Sequence, residues 1–373
     1  MTSLIKGIMM KKIVLSITIT MSTLFGMEDE PMSQKYNDNE TEEISSAKLR
    51  GLLDYSTDEV PKLLFYAALP VAKQTETDIK KYNLPEELKE YVLNLKEKLG
   101  HALLSLVQKQ KLSESKKREI PLLINNGANV NIADKDGQTA LFYACRQGKS
   151  ELALLLIKAG ADINIKDKRG YTPFSYTFWP TIERELVKIC IEAGADVDVL
   201  DTSRDPRTAL IWASLMEDKQ IAKLLITAKA NLNIQDRNGD TALICAAEHG
   251  HPAIIKILIE AKANLDIQNQ EGKTALISGV SNQAYPEITE MLIKAGADVN
   301  VLDNMGQTAL IEACRQTFET RTAQGNEQII NLLICAGTNL NLPDNNGYTA
   351  LKWANSEIKI KVVQMLIEAG ANT

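Results

Sequence analysis

Histidine and aromatic side chains are scarce in this sequence of 373 residues, which has only three histidines and 5% Phe, Trp and Tyr. So few histidines leave few candidates for general acid–base chemistry. Phosphate-binding glycine loops, nucleophile elbows and Cys-x-x-Cys motifs are also missing. Ala, Leu and Ile dominate the apolar residues, which favours close helix packing over a large β-sandwich core. The missing motifs and the few histidines predict a protein that is not an enzyme and holds no cofactor or metal.

Positive charge is in short supply as well, because the net charge is −6. Residues 28–59 carry ten acidic and three basic side chains, and the first 27 residues carry three lysines, which leaves −2 for the rest of the chain. This nearly neutral body lacks the basic surface of a nucleic-acid-binding protein, so we expect no nucleic-acid partner. The polar, acidic segment 27–60 predicts a flexible linker.

No apolar run near the N-terminus is long enough to cross a bilayer. Residues 13–25 are apolar, follow Lys11 and Lys12, and precede an acidic stretch. Such a short run fits a secretory signal and does not span a membrane. We therefore predict a signal peptide at 1–26, with an uncleaved anchor or a buried apolar segment as the alternative. The signal implies an exported protein, secreted or periplasmic, without stable membrane insertion after cleavage.

A repeat of about 33 residues is the strongest pattern in the sequence. Thr-Ala-Leu recurs from Thr139 to Thr349, and each copy is followed about 20 residues later by a tripeptide such as Gly160-Ala161-Asp162. The seven units in phase are 134–166, 167–200, 201–235, 236–268, 269–302, 303–343 and 344–373. This pattern over 134–373 resembles the ankyrin-repeat family, in which each repeat is a β-turn followed by an antiparallel helix pair. The resemblance implies an all-α fold, an ankyrin solenoid.

Each position of the unit has a physical reason. Gly137 suits a tight turn, and Thr139 stands where a helix N-cap is wanted. The residue at Ala144 is small in every unit, which lets neighbouring helices approach closely. Leu152, Leu155, Leu156 and Ile157 should bury the second helix against the next unit. Gly160 then ends that helix, and we expect modest strain where lysine replaces this glycine, at Lys229 and Lys262.

The chain before the seven units divides into two further segments. Residues 61–100 have helical periodicity and form a predicted N-terminal helical segment. Residues 101–133 contain the second half of a repeat but lack the Thr-Ala-Leu turn, so we interpret them as a degenerate capping repeat. Residues 84–95 also resemble the opening of an F-box, which would make the protein a ubiquitin-ligase adaptor. Plain amphipathic helices are the alternative.

The family resemblance implies a protein partner bound by the turn tips and the exposed side of the first helix of each unit. Trp179 lies in a cluster of five aromatic residues and, with Tyr171, is a candidate contact patch. The extra residues 318–325 are either a tolerated loop or a further contact. We expect a monomer whose partner the sequence does not identify. The candidate partner-binding residues are Lys135, Asp136, Gln138, Arg146, Arg169, Tyr171, Trp179, Arg237, Asp240 and Arg315.

The five cysteines all fall in predicted helices, where they behave as small apolar residues. Cys314 and Cys335 share one unit and are the pair whose bonding should be tested. Unpaired cysteines are unexpected in an oxidising compartment. This motivates the hypothesis of an effector exported from a bacterium into a reducing compartment such as a host cytosol. A periplasmic or envelope scaffold is the alternative.

Overall fold

The computed structural model describes residues 86–109, 111, 113–178, 183–283, 285–315, 323–357 and 359–372. The predicted signal peptide, the acidic linker and the start of the 61–100 segment lie outside the described residues, as do Trp179 and residues 318–322. The chain divides into two compact units, Met1–Pro173 and Phe174–Thr373, which are described separately. None of the described helices is both long and apolar enough to cross a membrane.

The first unit consists of a long helix followed by shorter ones. α1 packs against α3 and against α4, and α4 pairs with α5. The helices are α1 (Glu86–Val107), α2 (Glu114–Lys117), α3 (Glu119–Asn125), α4 (Ala140–Arg146) and α5 (Ser150–Lys158).

α1 is continuous across the predicted boundary between 100 and 101, so that boundary was placed inside a helix. Gly100 permits the close packing of α1, since a Cβ atom there would lie 2.4 Å from the carbonyl oxygen of Asn129. Val92 and Leu95 are at most 1% exposed. These two side chains belong to the F-box-like stretch, and their burial within the unit leaves them unavailable to an adaptor.

The second unit is a stack of helix pairs in chain order. The first helices of successive pairs pack on one another from α7 to α15, and the second helices do so from α6 to α16. The elements after the short 3₁₀ helix η1 (Pro173–Tyr176) are α6 (Arg184–Glu192), α7 (Ala209–Leu215), α8 (Lys219–Thr227), α9 (Ala242–Glu248), α10 (Pro252–Glu260), α11 (Ala275–Gln283), α12 (Pro286–Lys294), α13 (Ala309–Arg315), α14 (Ala323–Cys335), α15 (Ala350–Ser356) and α16 (Ile360–Glu368).

The repeat 167–200 departs from the predicted helix pair, because the 3₁₀ helix η1 replaces its first α-helix. In five of the six other repeats, the equivalent helix ends seven residues after the threonine, which is the position of Trp179 in this repeat. Pro180 follows it, and a residue before proline disfavours the helical conformation. Phe174 and Phe178 are buried and meet edge to face with ring centroids 4.8 Å apart, so both belong to the core.

Small buried residues hold the helices of each pair close together, as predicted. Ala144, Ala213, Ala246, Ala313 and Ala354 are at most 1% exposed. Gly279 occupies the same position, and a Cβ atom there would lie 3.2 Å from the Ile288 side chain. The predicted threonine cap is present where the hydroxyl accepts a backbone N–H three residues later, at Thr208, Thr241, Thr274, Thr308 and Thr349. It is absent at Thr139, whose Oγ1 is buried without a partner.

Two other details of the sequence prediction need correction. Leu156 is fully buried, but Leu152, Leu155 and Ile157 keep part of their surface exposed. The equivalents of Leu155 and Ile157 in α8, Leu224 and Ile226, are partly exposed as well, whereas Leu152 is exposed because it borders a groove beside α3. The segment 318–325 is not all loop, because α14 begins at Ala323 and so includes its last three residues.

An aspartate or asparagine organises every turn of the repeats. Oδ1 of Asp344 accepts the backbone N–H of Asn346 and of Tyr348, both at 2.9 Å. Oδ2 of the same residue accepts the indole N–H of Trp353 at 2.9 Å. The phenol of Tyr143 and the indole of Trp212 donate in the same way to Asp134 and Asp201.

The hydrogen bonds to Asp344 predict a pH dependence of stability. Burial alone would raise the pKa of this carboxyl, but the bonds from Tyr348, Trp353 and Asn346 together lower it below 3.8. A lowered folded-state pKa contributes stability above the unfolded-state pKa, and this is lost as pH falls through the folded-state value. We expect Trp353→Phe to raise the pKa of Asp344 and to cost about 1 kcal/mol at neutral pH. NMR titration and urea unfolding measure the two effects, and an unchanged pKa would contradict the assignment.

Lys229 and Lys262 have φ angles of 64° and 68°, as expected where glycine ends the equivalent helices. A non-glycine residue in this left-handed region costs about 1–2 kcal/mol. Lys229→Gly and Lys262→Gly should therefore each raise the free energy of unfolding by about 1 kcal/mol, partly offset by unfolded-state entropy. Urea unfolding tests this, with Lys256→Gly inside α10 as the control, which should lose about 1 kcal/mol.

Candidate protein-binding surface

The turns of successive repeats lie side by side and are joined by backbone hydrogen bonds. In the first unit, Lys168 N–H donates to the Asp136 carbonyl at 2.9 Å. In the second unit, Gln270 N–H donates to Asn238 at 2.9 Å and Asn304 N–H donates to Glu271 at 3.0 Å. These bonds set the tips of neighbouring turns in a row within each unit. A row of tips can contact an extended length of a partner.

A second set of bonds joins the residue before the threonine of one turn to the first residue of the next turn. Gln138 Nε2 donates to Asp167 at 3.1 Å, and Arg207 Nε donates to Asp236 at 3.1 Å. Asn269 Nδ2 donates to Asp240 at 2.8 Å. Gln138 and Asp240 were predicted as partner contacts, but the structure places both in this link between turns, where their side chains are already engaged.

The other predicted contact residues differ in how far they are available. Lys135, Asp136, Arg146, Arg169 and Arg237 are exposed, and the Arg146 guanidinium lies 4.7 Å from the centre of the Tyr143 ring. Tyr171 is half-buried. Arg315 forms an ion pair at 3.0 Å with the buried carboxylate of Glu312, one helical turn earlier. Trp179 is outside the described residues, so its part in a contact patch stays a prediction.

The structure adds Tyr348 to the candidate contact residues that were predicted from the sequence. Tyr348 is 42% exposed at the fifth position of its turn, and Met305 is 48% exposed at the tip of the preceding turn. Asn345 N–H donates to the Met305 carbonyl at 3.0 Å, so these two turns are adjacent. The sequence could have indicated Tyr348 as a candidate contact, because it occupies the same position of its repeat as the predicted contact Tyr171. Exposed apolar side chains at one edge are typical of a binding surface.

Several negatively charged side chains lie near Asp240. Burial raises the pKa of its carboxyl, and the charges of Asp236, Glu248 and Glu271 raise it further despite the bond from Asn269. Two of these carboxylates are paired within the fold, Asp236 with Arg207 and Glu271 with Lys273.

Three potential metal ligands also meet here, a cluster that the spacing of the sequence did not reveal. Single donor atoms of Asp236, Asp240 and Cys245 lie within 4.8 Å of one another. Arg207 already pairs with Asp236. Burial and the nearby carboxylates raise the pKa of the Cys245 thiol far above its usual range, which keeps it protonated. The group is best explained as part of the packing between repeats.

The two histidines of the His-Gly-His spacing make structural contacts. His249 Nδ1 lies 3.0 Å from the Cys245 carbonyl, and His251 Nε2 lies 3.2 Å from the Leu215 carbonyl. His251 therefore ties α10 to the end of α7. None of the five cysteines, all of which lie in the described residues, forms a disulfide; Cys335 is exposed and the other four are buried. Burial raises the pKa of the Cys314 thiol to about 12, so it is unreactive at neutral pH.

Comparison with known families agrees with this architecture. A sequence profile for ankyrin repeats in three copies matches residues 182–271 and 280–373, and a profile for ankyrin repeats in many copies matches residues 123–176. A search of curated proteins finds no match. Together the profiles cover well over half of the chain, and the turns and helix pairs described above are those of the same repeat. The chain belongs to the ankyrin-repeat family.

Proposed function

We propose that this protein binds a protein partner through the exposed turn tips of its repeats, and that it performs no catalysis. The observation that carries the proposal is the adjacent exposure of Met305 and Tyr348 on neighbouring turns of the second unit. Their side chains are solvent-exposed, whereas Gln138 and Asp240 at comparable turn positions are used within the fold.

Replacing Met305 and Tyr348 together by alanine should weaken partner binding by about 2 kcal/mol, because both would be exposed anchors of the contact. The full chain is used as bait in lysates, and the affinity of the captured partner is then measured by calorimetry. Lys256→Ala, on the exposed side of α10, is the matched control. Unchanged affinity of the double variant would rule out Met305 and Tyr348 as partner contacts. A Tyr171→Ala/Trp179→Ala bait tests the aromatic cluster in the same way.

We further propose that the protein is exported from a bacterium and acts as an effector in a reducing compartment, such as a host cytosol. The N-terminal signal-like sequence supports export, and free cysteines support a reducing destination. Capture of a partner from a eukaryotic lysate but not from a bacterial one is the expected result. Capture only from the bacterial lysate, or a Cys314–Cys335 disulfide in the native protein by mass spectrometry, would favour an envelope scaffold.

A further inference from the structure

Three apolar side chains of α16, the last helix among the described residues, form an exposed seam along one side of it. Ile360 is 77% exposed and Ile367 is 47% exposed. Val363 lies between them and is half-buried. Because these residues are three and four positions apart, they fall on the same side of the helix. Val362 and Leu366 are buried on another side, with which α16 packs on α14 and α15.

The seam of α16 differs from the equivalent residues of the other repeats. Val363 holds a position that is at most 1% exposed in the six others, at Ala153, Val187, Ala222, Ile255, Thr289 and Ile330. In the second unit, each earlier second helix packs against the second helix of the next pair. Ile360 replaces residues that are polar or proline in the other repeats, namely Ser150, Arg184, Lys219, Pro252, Pro286 and Glu327. α16 thus keeps one apolar position that is normally covered and adds another.

The first helix of the same pair, α15, is polar at the positions where a following repeat would stack. Lys352 and Asn355 are exposed, whereas their equivalents in α9, Ile244 and Ala247, are at most 1% exposed where α11 packs on α9. A further ankyrin repeat stacked here would bury the Lys352 charge and the Asn355 amide, which costs free energy unless both are paired. This end of the stack therefore favours an occupant that covers α16 alone, which is the size of a single helix.

The charges beside the seam indicate which helix fits it. Lys361 is exposed near the start of α16 and Glu368 is exposed at its end. Lys361 contacts Glu327 of α14, but 71% of its side chain stays exposed. An antiparallel helix that complements these charges carries an acidic residue at its end and a basic residue near its start. α16 of a second copy has this arrangement, because a two-fold axis near Gln364 brings Lys361 of each copy beside Glu368 of the other.

We propose that two copies of this chain associate by antiparallel pairing of α16, with Ile360 of each copy packed on Ile367 of the other. α16 has only nine residues, so the contact is small and the dimer is weak, with a dissociation constant on the order of 10–100 µM. The chain is then a monomer at low concentration, as expected from its sequence, and a dimer at high concentration. None of these residues belongs to a turn tip, so the dimer is independent of the proposed partner contact at Met305 and Tyr348.

Sedimentation velocity of the full chain, from about 1 to 300 µM, measures this equilibrium. Reducing buffer prevents disulfide-linked dimers through the exposed Cys335. Ile360→Ser, which introduces the residue that begins α5, should weaken dimerisation by about tenfold or more, because the seam loses its most exposed side chain. Met216→Ser is the matched control, since it removes a 60% exposed apolar side chain just after α7 and should leave the dimer unchanged. A chain that stays monomeric throughout, or equal dimerisation of Ile360→Ser and the native chain, would overturn the proposal.

Charge reversal tests the antiparallel orientation. Lys361→Glu and Glu368→Lys should each weaken the dimer, because each places like charges across the interface. The double variant Lys361→Glu/Glu368→Lys should restore the dissociation constant to within about twofold of the native value, since opposite charges again face each other. The proposal is also overturned if neither single substitution weakens the dimer, or if the double variant dimerises no better than the single ones.

Discussion

Gly272→Ala is expected to lower the free energy of unfolding by about 3 kcal/mol, whereas Gly194→Ala should cost only about 1 kcal/mol. The φ angles of these glycines are nearly the same, 79° and 80°, so backbone strain is similar at both. They differ in their surroundings. A Cβ atom at Gly272 would lie 2.5 Å from the backbone nitrogen of Asn304 in the next turn, while at Gly194 it would meet nothing within 4 Å.

The difference between the two variants therefore measures the close approach of neighbouring turns, separately from the left-handed conformation. Urea unfolding followed by circular dichroism gives both free energies under one set of conditions. Equal losses for the two substitutions would mean that the turn of 269–273 moves away from the next turn at little cost. That result would contradict the close packing of neighbouring turn tips described above.

Arg207→Ala should destabilise the protein by about 3 kcal/mol, because it leaves the carboxylate of Asp236 without its ionic partner. The Asp236 side chain has no exposed surface, and Arg207 Nε lies 3.1 Å from its Oδ2. Arg207 also bonds to Asp205 at 2.5 Å within its own turn. The arginine thus joins two repeats through a carboxylate that water does not reach.

A double-mutant cycle isolates this interaction. Arg207→Ala combined with Asp236→Asn should lose less than the two single variants added together, since no buried charge remains unpaired. Arg237→Ala, which removes the exposed arginine at the second position of the next turn, should change the free energy of unfolding by less than about 0.5 kcal/mol. A loss for Arg207→Ala as small as that of Arg237→Ala would contradict the role given to the ion pair.

Features that repeat along the sequence were predictable because local chemistry determines them. The turn glycines, the threonine caps and the small residue at Ala144 each satisfy a need that arises within a single repeat. The positive φ angles of Lys229 and Lys262 followed from comparison with glycine in other units. When five or more copies are aligned, a residue that recurs at one position is readily distinguished from a chance match.

Features that depend on two repeats at once were harder to predict. Gln138 and Asp240 looked like exposed turn residues, but the spacing between turns brings each within bonding distance of its neighbour. The partial exposure of Leu152 was not predicted, because its equivalents Ile221 and Ile254 are buried and its spacing is that of a buried residue. Trp179-Pro180 could have indicated the shortened helix, since proline restricts the residue before it.

Hydrogen–deuterium exchange of the full chain with and without its captured partner tests the proposed binding surface most directly. The account predicts slower exchange for the turns of the second unit, around Arg237, Glu271, Met305 and Tyr348, and unchanged exchange along α8 and α10. Slower exchange confined to α8 and α10, or no change anywhere in the repeats, would contradict recognition through the turn tips.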